Sequence, residues 1–221
     1  MLARSSREEI EVTKVAVLGA SGRIARHAVQ MLAEDDSFEQ TLFVRDADRL
    51  TDTPGTIRVV QGDVLDRKSL DDAIRGQDVV YANLAGDVDE QARTIIQSMN
   101  AAGPARLVFI SALGIYDEVP GKFGQWNRDA IGPMLGPYRA AADAIESSDL
   151  DYTILRPAWL TDTDEINFEV TEKDEPFRGT EVSRKSVAAL VVEILKQPSL
   201  GSRKSLGINK PGTDGDRPAF A

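Results

Sequence analysis

Gly19, Gly22 and Ala25 recur at intervals of three in the stretch Gly19-Ala20-Ser21-Gly22-Arg23-Ile24-Ala25. Each small residue has a task if the stretch is a turn from a strand into a helix. Gly19 lets the chain turn sharply. Gly22 has no Cβ, so a phosphate can approach the backbone at the helix start. Ala25 is small enough for the helix to pack against the strand. Free N–H groups and the positive end of the helix dipole then favour an anion. The turn they frame, with Ser21, Arg23 and Ile24 between them, predicts dinucleotide binding.

Other residues suit the rest of such a ligand. Arg45 closes the next apolar run, where a basic residue fits the 2′-phosphate of NADP and an acidic one fits the ribose hydroxyls of NAD. Arg45 favours NADP, and the adjacent Asp46 leaves NAD open. Asp63 and Val64, then Leu84, Ala85 and Gly86, fall just beyond later strands, where ligands of open parallel sheets lie. They are expected beside the adenine and the sugars, although Asp63 reads equally well as a turn residue. Asp162, Asp164 and Glu165 form a spaced acidic group without a glycine-turned loop or a histidine partner. They predict a solvated loop, not a metal site.

These residues need a frame to hold them. Val12, Val15, Val17 and Leu18 form the β-branched, apolar run of a strand covered on both faces. Ile24, Ala25, Ala28, Val29 and Leu32 then follow helical spacing. Strands are expected at 40–44, 57–60, 78–82, 105–110 and 152–155, a short one near 168–170 and a last one at 205–208. Helices are expected from the Asp66 cap, over 90–102, 136–147 and 185–196, with a Gly- and Pro-rich loop over 117–126. This alternation predicts an α/β fold, a doubly wound parallel sheet, in a single domain over 1–221. Residues 160–221 are expected to form a small C-terminal substrate lobe and tail, and residues 1 to about 10 a disordered tail.

Composition narrows the chemistry. The 221 residues carry a formal net charge of −10 and no cysteine, and His27 is the sole histidine. An acidic chain has no basic excess for nucleic acid or for an anionic membrane surface. Without cysteine there is no disulfide, thiol nucleophile or thiolate metal site. His27, on the first helix among apolar neighbours, reads as a helix-surface residue. No secretory or membrane-spanning run is evident, so a cytoplasmic location is the default expectation.

Four blocks in order resemble one superfamily: 19–25, Gly62-Asp63-Val64-Leu65-Asp66, Gly76-Gln77-Asp78-Val79-Val80, and Leu150-Asp151-Tyr152-Thr153-Ile154-Leu155-Arg156-Pro157. Together they resemble the atypical short-chain dehydrogenases/reductases. Within these the chain is similar to the NmrA-like NAD(P)H-binding branch and to the small flavin/biliverdin-IXβ reductases. The resemblance implies a Rossmann fold and NADP or NAD. It places Ser111, Ala112 and Pro157 on the nicotinamide side. Short-chain dehydrogenases pair a catalytic Tyr with a Lys four residues on, and the ammonium tunes the phenol. Here Tyr138 is followed at that position by Ala142. Ser111 and Tyr138 remain the catalytic candidates, with Tyr116 and Lys122 as substitutes. Phe123, Trp126, Trp159 and Tyr116 read either as an aromatic platform for an acceptor or as core.

Two functions from different classes follow. One is an NAD(P)H-dependent oxidoreductase passing hydride to a quinone, flavin or carbonyl acceptor, with the proton taken from solvent. The other is a catalytically silent NADP(H)-sensing protein with a protein partner. A nucleotide-sugar epimerase or dehydratase is a weaker third, because the chain is short for a sugar-nucleotide lobe.

Overall fold

The computed structural model describes residues 12–51 and 57–221. The N-terminal stretch expected to be disordered lies outside the described residues. The chain runs β1 (Thr13–Leu18), α1 (Arg23–Ala33), β2 (Phe38–Val44), a 3-10 turn (Ala47–Arg49), β3 (Arg58–Gln61), α2 (Arg67–Ile74), β4 (Val79–Ala82) and α3 (Val88–Ala102). It continues through β5 (Arg106–Ile110), α4 (Gly121–Glu146), β6 (Asp151–Pro157), β7 (Trp159–Thr161), β8 (Glu169–Thr171), β9 (Glu181–Ser183), α5 (Arg184–Lys196) and β10 (Lys204–Asn209).

Eight strands form one sheet in the order β3-β2-β1-β4-β5-β6-β10-β8. All neighbours are parallel except β8, which lies antiparallel to β10 at one edge. Strand β1 shows why the fold is doubly wound. Val15 and Val17 pack with Ala25, Ala28 and Leu32 of α1 and with Val187 and Val191 of α5. Ala16 and Leu18 point the other way, to the layer containing Leu70, Ile95 and Ala141 of α2, α3 and α4. A strand buried on both faces needs the continuous apolar run that the sequence supplies. Asp66 caps α2, its Oδ1 accepting from the Lys68 amide at 3.1 Å.

Two segments differ from the sequence reading. The loop expected over 117–126 is already helix from Gly121, and α4 runs for 26 residues through Pro133 and Pro137. A proline inside a helix loses one backbone bond and crowds the preceding residue. Both prolines here follow glycine, Gly132 and Gly136, which have no Cβ to crowd. Neither glycine faces a neighbouring element closely enough to need its small size for packing.

The second difference follows Pro157. The Ala158 amide still donates to Ile208 O at 2.9 Å, but that of Trp159 donates to Thr180 O at 3.1 Å. The chain has changed partners, and β7 pairs with β9 in a separate two-stranded ribbon. Of residues 160–221, expected as a small lobe, this ribbon and its flanking loops stand apart from the main sheet. β8, β10 and α5 from the same region complete the main sheet and the α1 layer. Among the described residues, no helix is long and apolar enough to cross a membrane.

Candidate functional site

Strand order reverses between β1 and β4, whose last paired residues are Leu18 and Ala82. Such a reversal opens a crevice beyond the carboxyl ends of the strands. A cleft of about 350 Å³ lies there. It brings together Gly19, Ser21, Gly22, Arg23 and Ile24 of the first turn, Arg45 after β2, Asp63 and Val64 after β3, and Leu84 and Ala85 after β4. Four expected residues, Gly86, Ser111, Ala112 and Pro157, are not on its wall.

The glycines have a packing reason besides ligand access. Gly19 sits at φ 75°, and a Cβ there would overlap the carbonyl of Asn83. A Cβ on Gly22 would overlap the Asn83 side-chain amide. Asn83, which the sequence reading does not single out, is fixed by its amide donating to Leu18 O at 2.9 Å. The turn therefore packs directly onto the end of β4. Gly22 provides no side-chain cap for α1, and the first helical turn holds no acidic residue. Its leading N–H groups are left for an external anion.

Arg26 pins this turn to the next one. Its Nε donates to Ser21 O at 3.1 Å and its Nη2 to Arg49 O at 2.9 Å. Arg49 lines the cleft beside Arg45. Its place four residues after Arg45 was the available signal. Asp46 also lies on the wall, but its carboxylate accepts from the Asp48 amide at 3.1 Å and caps the 3-10 turn. This end of the cleft thus presents two guanidiniums and a carboxylate already engaged. Asp63 is both things the sequence allowed: it lines the cleft, and its Oδ1 accepts from the Leu65 amide at 2.9 Å. Gln91 of α3 also lines it. Its Nε2 donates to Ala85 O at 3.3 Å, whereas its Oε1 is buried without a partner.

The opposite wall comes from the ribbon side, through Leu160 and Arg184. Arg184 Nη1 donates to Asp162 Oδ1 at 2.8 Å, and Arg23 pairs with the other oxygen of the same carboxylate. Asp164 pairs with Lys185 and Glu165 with Lys210. The acidic group is therefore a set of ion pairs on an exposed loop, with the Asp162 and Asp164 side chains largely in solvent.

The catalytic candidates separate. Ser111 stands at the end of β5, its amide donating to Leu155 O at 2.7 Å and its Oγ buried without a partner. The Tyr138 hydroxyl donates to Leu84 O over a long 3.5 Å, next to the cleft. Burial raises its pKa, the reverse of what a neighbouring ammonium would do.

Tyr116 belongs elsewhere. Its hydroxyl donates to Glu146 at 2.9 Å, and its ring lies beneath Arg139, Arg156 and Lys173. It lines a second crevice with Glu118 and Lys173, and burial drives its phenol well above the ordinary range. Cation–π contacts and the Glu146 bond hold Tyr116 there, in a different crevice from that of the glycine turn. Lys122 pairs with Asp216 at the surface, 3.0 Å away.

The two tryptophans meet edge to face at 4.6 Å, with Phe123 stacked 6.2 Å from Trp126. Trp159 Nε1 donates to the buried Asn127 at 2.9 Å. Phe123 is buried in the core and the two tryptophans pack half-buried against it, and none of the three lines the cleft.

Comparison with known proteins places this geometry. Residues 19–198 match the sequence model of a family described as NAD(P)H-binding. A Rossmann-fold NAD(P)-binding family protein from Shigella flexneri is 47% identical. Its structure superposes with a TM-score of 0.82, over 95% of this chain and 100% of that one. A short-chain dehydrogenase/reductase from Veillonella parvula, solved in complex with NADP, is 25% identical with a TM-score of 0.89, over 94% and 99% of the two chains. A (4-alkanoyl-5-oxo-2,5-dihydrofuran-3-yl)methyl phosphate reductase from Streptomyces griseus is 29% identical over 143 residues, 65% of this chain and 46% of that protein. With the family match running from the glycine turn to the end of α5, the chain belongs to the NAD(P)H-binding family of Rossmann-fold proteins.

Proposed function

We propose that the protein is an NADPH-dependent reductase acting on a small acceptor. The observation that carries the cofactor choice is the pair Arg45 and Arg49 on one wall while Asp46 is spent on a cap. The cleft fits a dinucleotide in its polar groups as well as its shape: donors at an uncapped helix start and two guanidiniums, and an acceptor in the orphaned Gln91 Oε1. Gly19, Ser21, Gly22, Arg23 and Ile24 would hold the pyrophosphate, Arg45 the 2′-phosphate, Asp63 and Val64 the adenine, and Leu84 and Ala85 the ribose region. When bound, reduced nicotinamide supplies a hydride.

The chain's own residues then need to orient an acceptor and exclude competing water. Ser111, with its unpartnered hydroxyl, is suited to donate to the acceptor oxygen. Ala112 and Pro157 flank it by position. Trp126 and Trp159 give an apolar side against which a planar acceptor can rest. Water delivers the proton, because the buried phenol of Tyr138 has no activating cation four residues on.

The same feature favours the second reading, a protein that binds NADP(H) and turns nothing over. Oxidation of NADPH by the purified protein with quinones, flavins and aldehydes separates them. Saturable binding without turnover of any acceptor would favour the sensor.

Arg45→Ala is expected to weaken NADPH binding by about 1–3 kcal/mol, the cost of a charge-assisted bond, and to leave NADH nearly unchanged. Titration calorimetry with both cofactors checks this, and equal losses would remove Arg45 from the 2′-phosphate. Tyr138→Phe is expected to change kcat by less than about threefold, whereas loss of a general acid lowers rates by about 10²–10⁴. A fall of that second size would reinstate Tyr138 as the proton donor.

A further inference from the structure

Arg23 and Arg184 come from opposite walls of the cleft, 161 residues apart in sequence order, yet share one carboxylate. Asp162 lies just after β7, at the point where the ribbon side meets the glycine turn. Its two oxygens are divided between the two guanidiniums. Two positive charges thus face one negative charge, so the group retains a unit of positive charge. The proximity of the two arginines has an electrostatic signature: Arg184 has a lowered pKa, from burial first and then from Arg23.

The three side chains are not equally fixed. The Arg184 side chain is 15% exposed and also donates to Leu160 O at 3.3 Å. It is a built-in member of the wall. Asp162 and Arg23 are 58% and 62% exposed. An exposed pair of this kind contributes little net stability and is readily exchanged for another partner. Arg23 is moreover the first residue of α1, beside the uncapped N–H groups. A carboxylate held there by two arginines resembles the charge and fork geometry of a phosphate, for which guanidinium is well matched.

We propose that Arg184 is a diphosphate-binding residue, forming with Arg23 a two-sided seat in which Asp162 is an intramolecular stand-in that the cofactor displaces. The proposal rests on the dinucleotide reading of the cleft and adds to it a residue from the far wall. Without the cofactor, Asp162 offsets the repulsion between the two guanidiniums and keeps both directed at the mouth of the cleft. With it, the diphosphate takes over that role, and the Asp162 carboxylate, now facing a like charge, has to withdraw. Asp162 therefore lowers affinity while Arg184 raises it.

The test is the sign of two substitutions. Asp162→Asn keeps shape and removes the competing charge. It is expected to tighten NADPH binding by about 3- to 10-fold, and Arg184→Met to weaken it by about 10-fold or more, as expected for exposed and partly buried charge contacts respectively. Dissociation constants come from fluorescence titration of purified proteins with NADPH and, separately, NADH. Both cofactors carry the diphosphate, so both should shift together, unlike the effect expected of Arg45→Ala. Arg184→Lys, which retains charge but not the fork, should fall between wild type and Arg184→Met, and its thermal unfolding reports whether the wall is intact. Asp164→Asn, at a pair away from the cleft, should leave binding unchanged. Binding by the wild type with no gain, or a loss, in Asp162→Asn overturns the stand-in role while leaving the cofactor reading in place. No effect of Arg184→Met removes Arg184 from the seat. Failure of the wild type to bind either cofactor overturns the dinucleotide reading and this proposal with it.

Discussion

Gly19→Ala is expected to abolish measurable NADPH binding and to destabilise the fold. Two costs combine at this position. The backbone is left-handed, at φ 75°, which any residue with a Cβ adopts at a cost of about 1–2 kcal/mol. The added methyl would also meet the carbonyl oxygen of Asn83, a backbone atom of a residue whose own N–H is held to Leu18 O, so it cannot swing aside as a side chain would. Relief requires the turn to move away from the end of β4, and the uncapped start of α1 moves with it. A total of about 2–4 kcal/mol is expected for such strain. At about 2–4 °C per kcal/mol for a chain of this size, the Tm falls by about 5–15 °C. Differential scanning fluorimetry with and without NADPH measures both effects: the wild type should be stabilised by the cofactor and the variant should not. A variant with wild-type Tm and cofactor response would show that the Asn83 contact does not constrain the turn. Gly22→Ala should be milder, since it meets the movable end of the Asn83 side chain.

Removing the partner of a buried charge should cost at least as much. Arg156, on β6, is fully buried, with its side chain 0% exposed and that of its partner Glu118 4% exposed. Every nitrogen of the guanidinium is engaged: it pairs with Glu118 through Nη1, donates from Nε to Ser205 Oγ at 3.1 Å, and from Nη2 to Ser205 O at 3.2 Å and Glu172 O at 3.3 Å. Glu118 in turn accepts from the amides of Gly114 and Tyr116, each at 3.0 Å. Glu118→Leu leaves a buried cation unpaired and should destabilise by about 3–5 kcal/mol. Urea unfolding should show a midpoint lowered accordingly. Adding Arg156→Met to that variant removes the orphan charge and should recover about 1–2 kcal/mol, less than full recovery because two amides stay unpaired. Failure of the second change to restore any stability would mean that Glu118 acts through its amide contacts alone.

The cofactor half of the site was readable in the sequence because each part of it is local. A glycine turn between a strand and an amphipathic helix, or an arginine closing a strand, is written within a few consecutive residues. Asp46 shows the limit of such reading. Its type suggested a ribose contact, but only coordinates reveal that its carboxylate turns back to the Asp48 amide. Asn83 and Arg184 were out of reach for another reason. Asn83 meets Gly22 across 61 positions of sequence, and Arg184 shares the Asp162 carboxylate with Arg23 across 161, which no spacing encodes. Tyr116 is near Ser111 in sequence, yet its ring lines the second crevice, because Glu146 and three cations that hold it come from distant segments. The loop expected before Trp126 failed on composition: its glycines and prolines argued against helix, while tertiary packing of Phe123 and Asn127 overrode that preference.

The Gly-Pro pairs of α4 also divide that helix mechanically. Pro133 and Pro137 have no amide proton, so the carbonyls of Asp129 and Pro133 lack their ordinary acceptor role in the ladder. The stretch between Asn127 and Ala141 is also the part of α4 with no fully buried residue. Its first half carries Phe123 and Trp126, and its last buried residues, Ala141, Ala142 and Ile145, anchor the other end to the sheet. The helix is thus two firm segments joined by a compliant one, a strut with a joint.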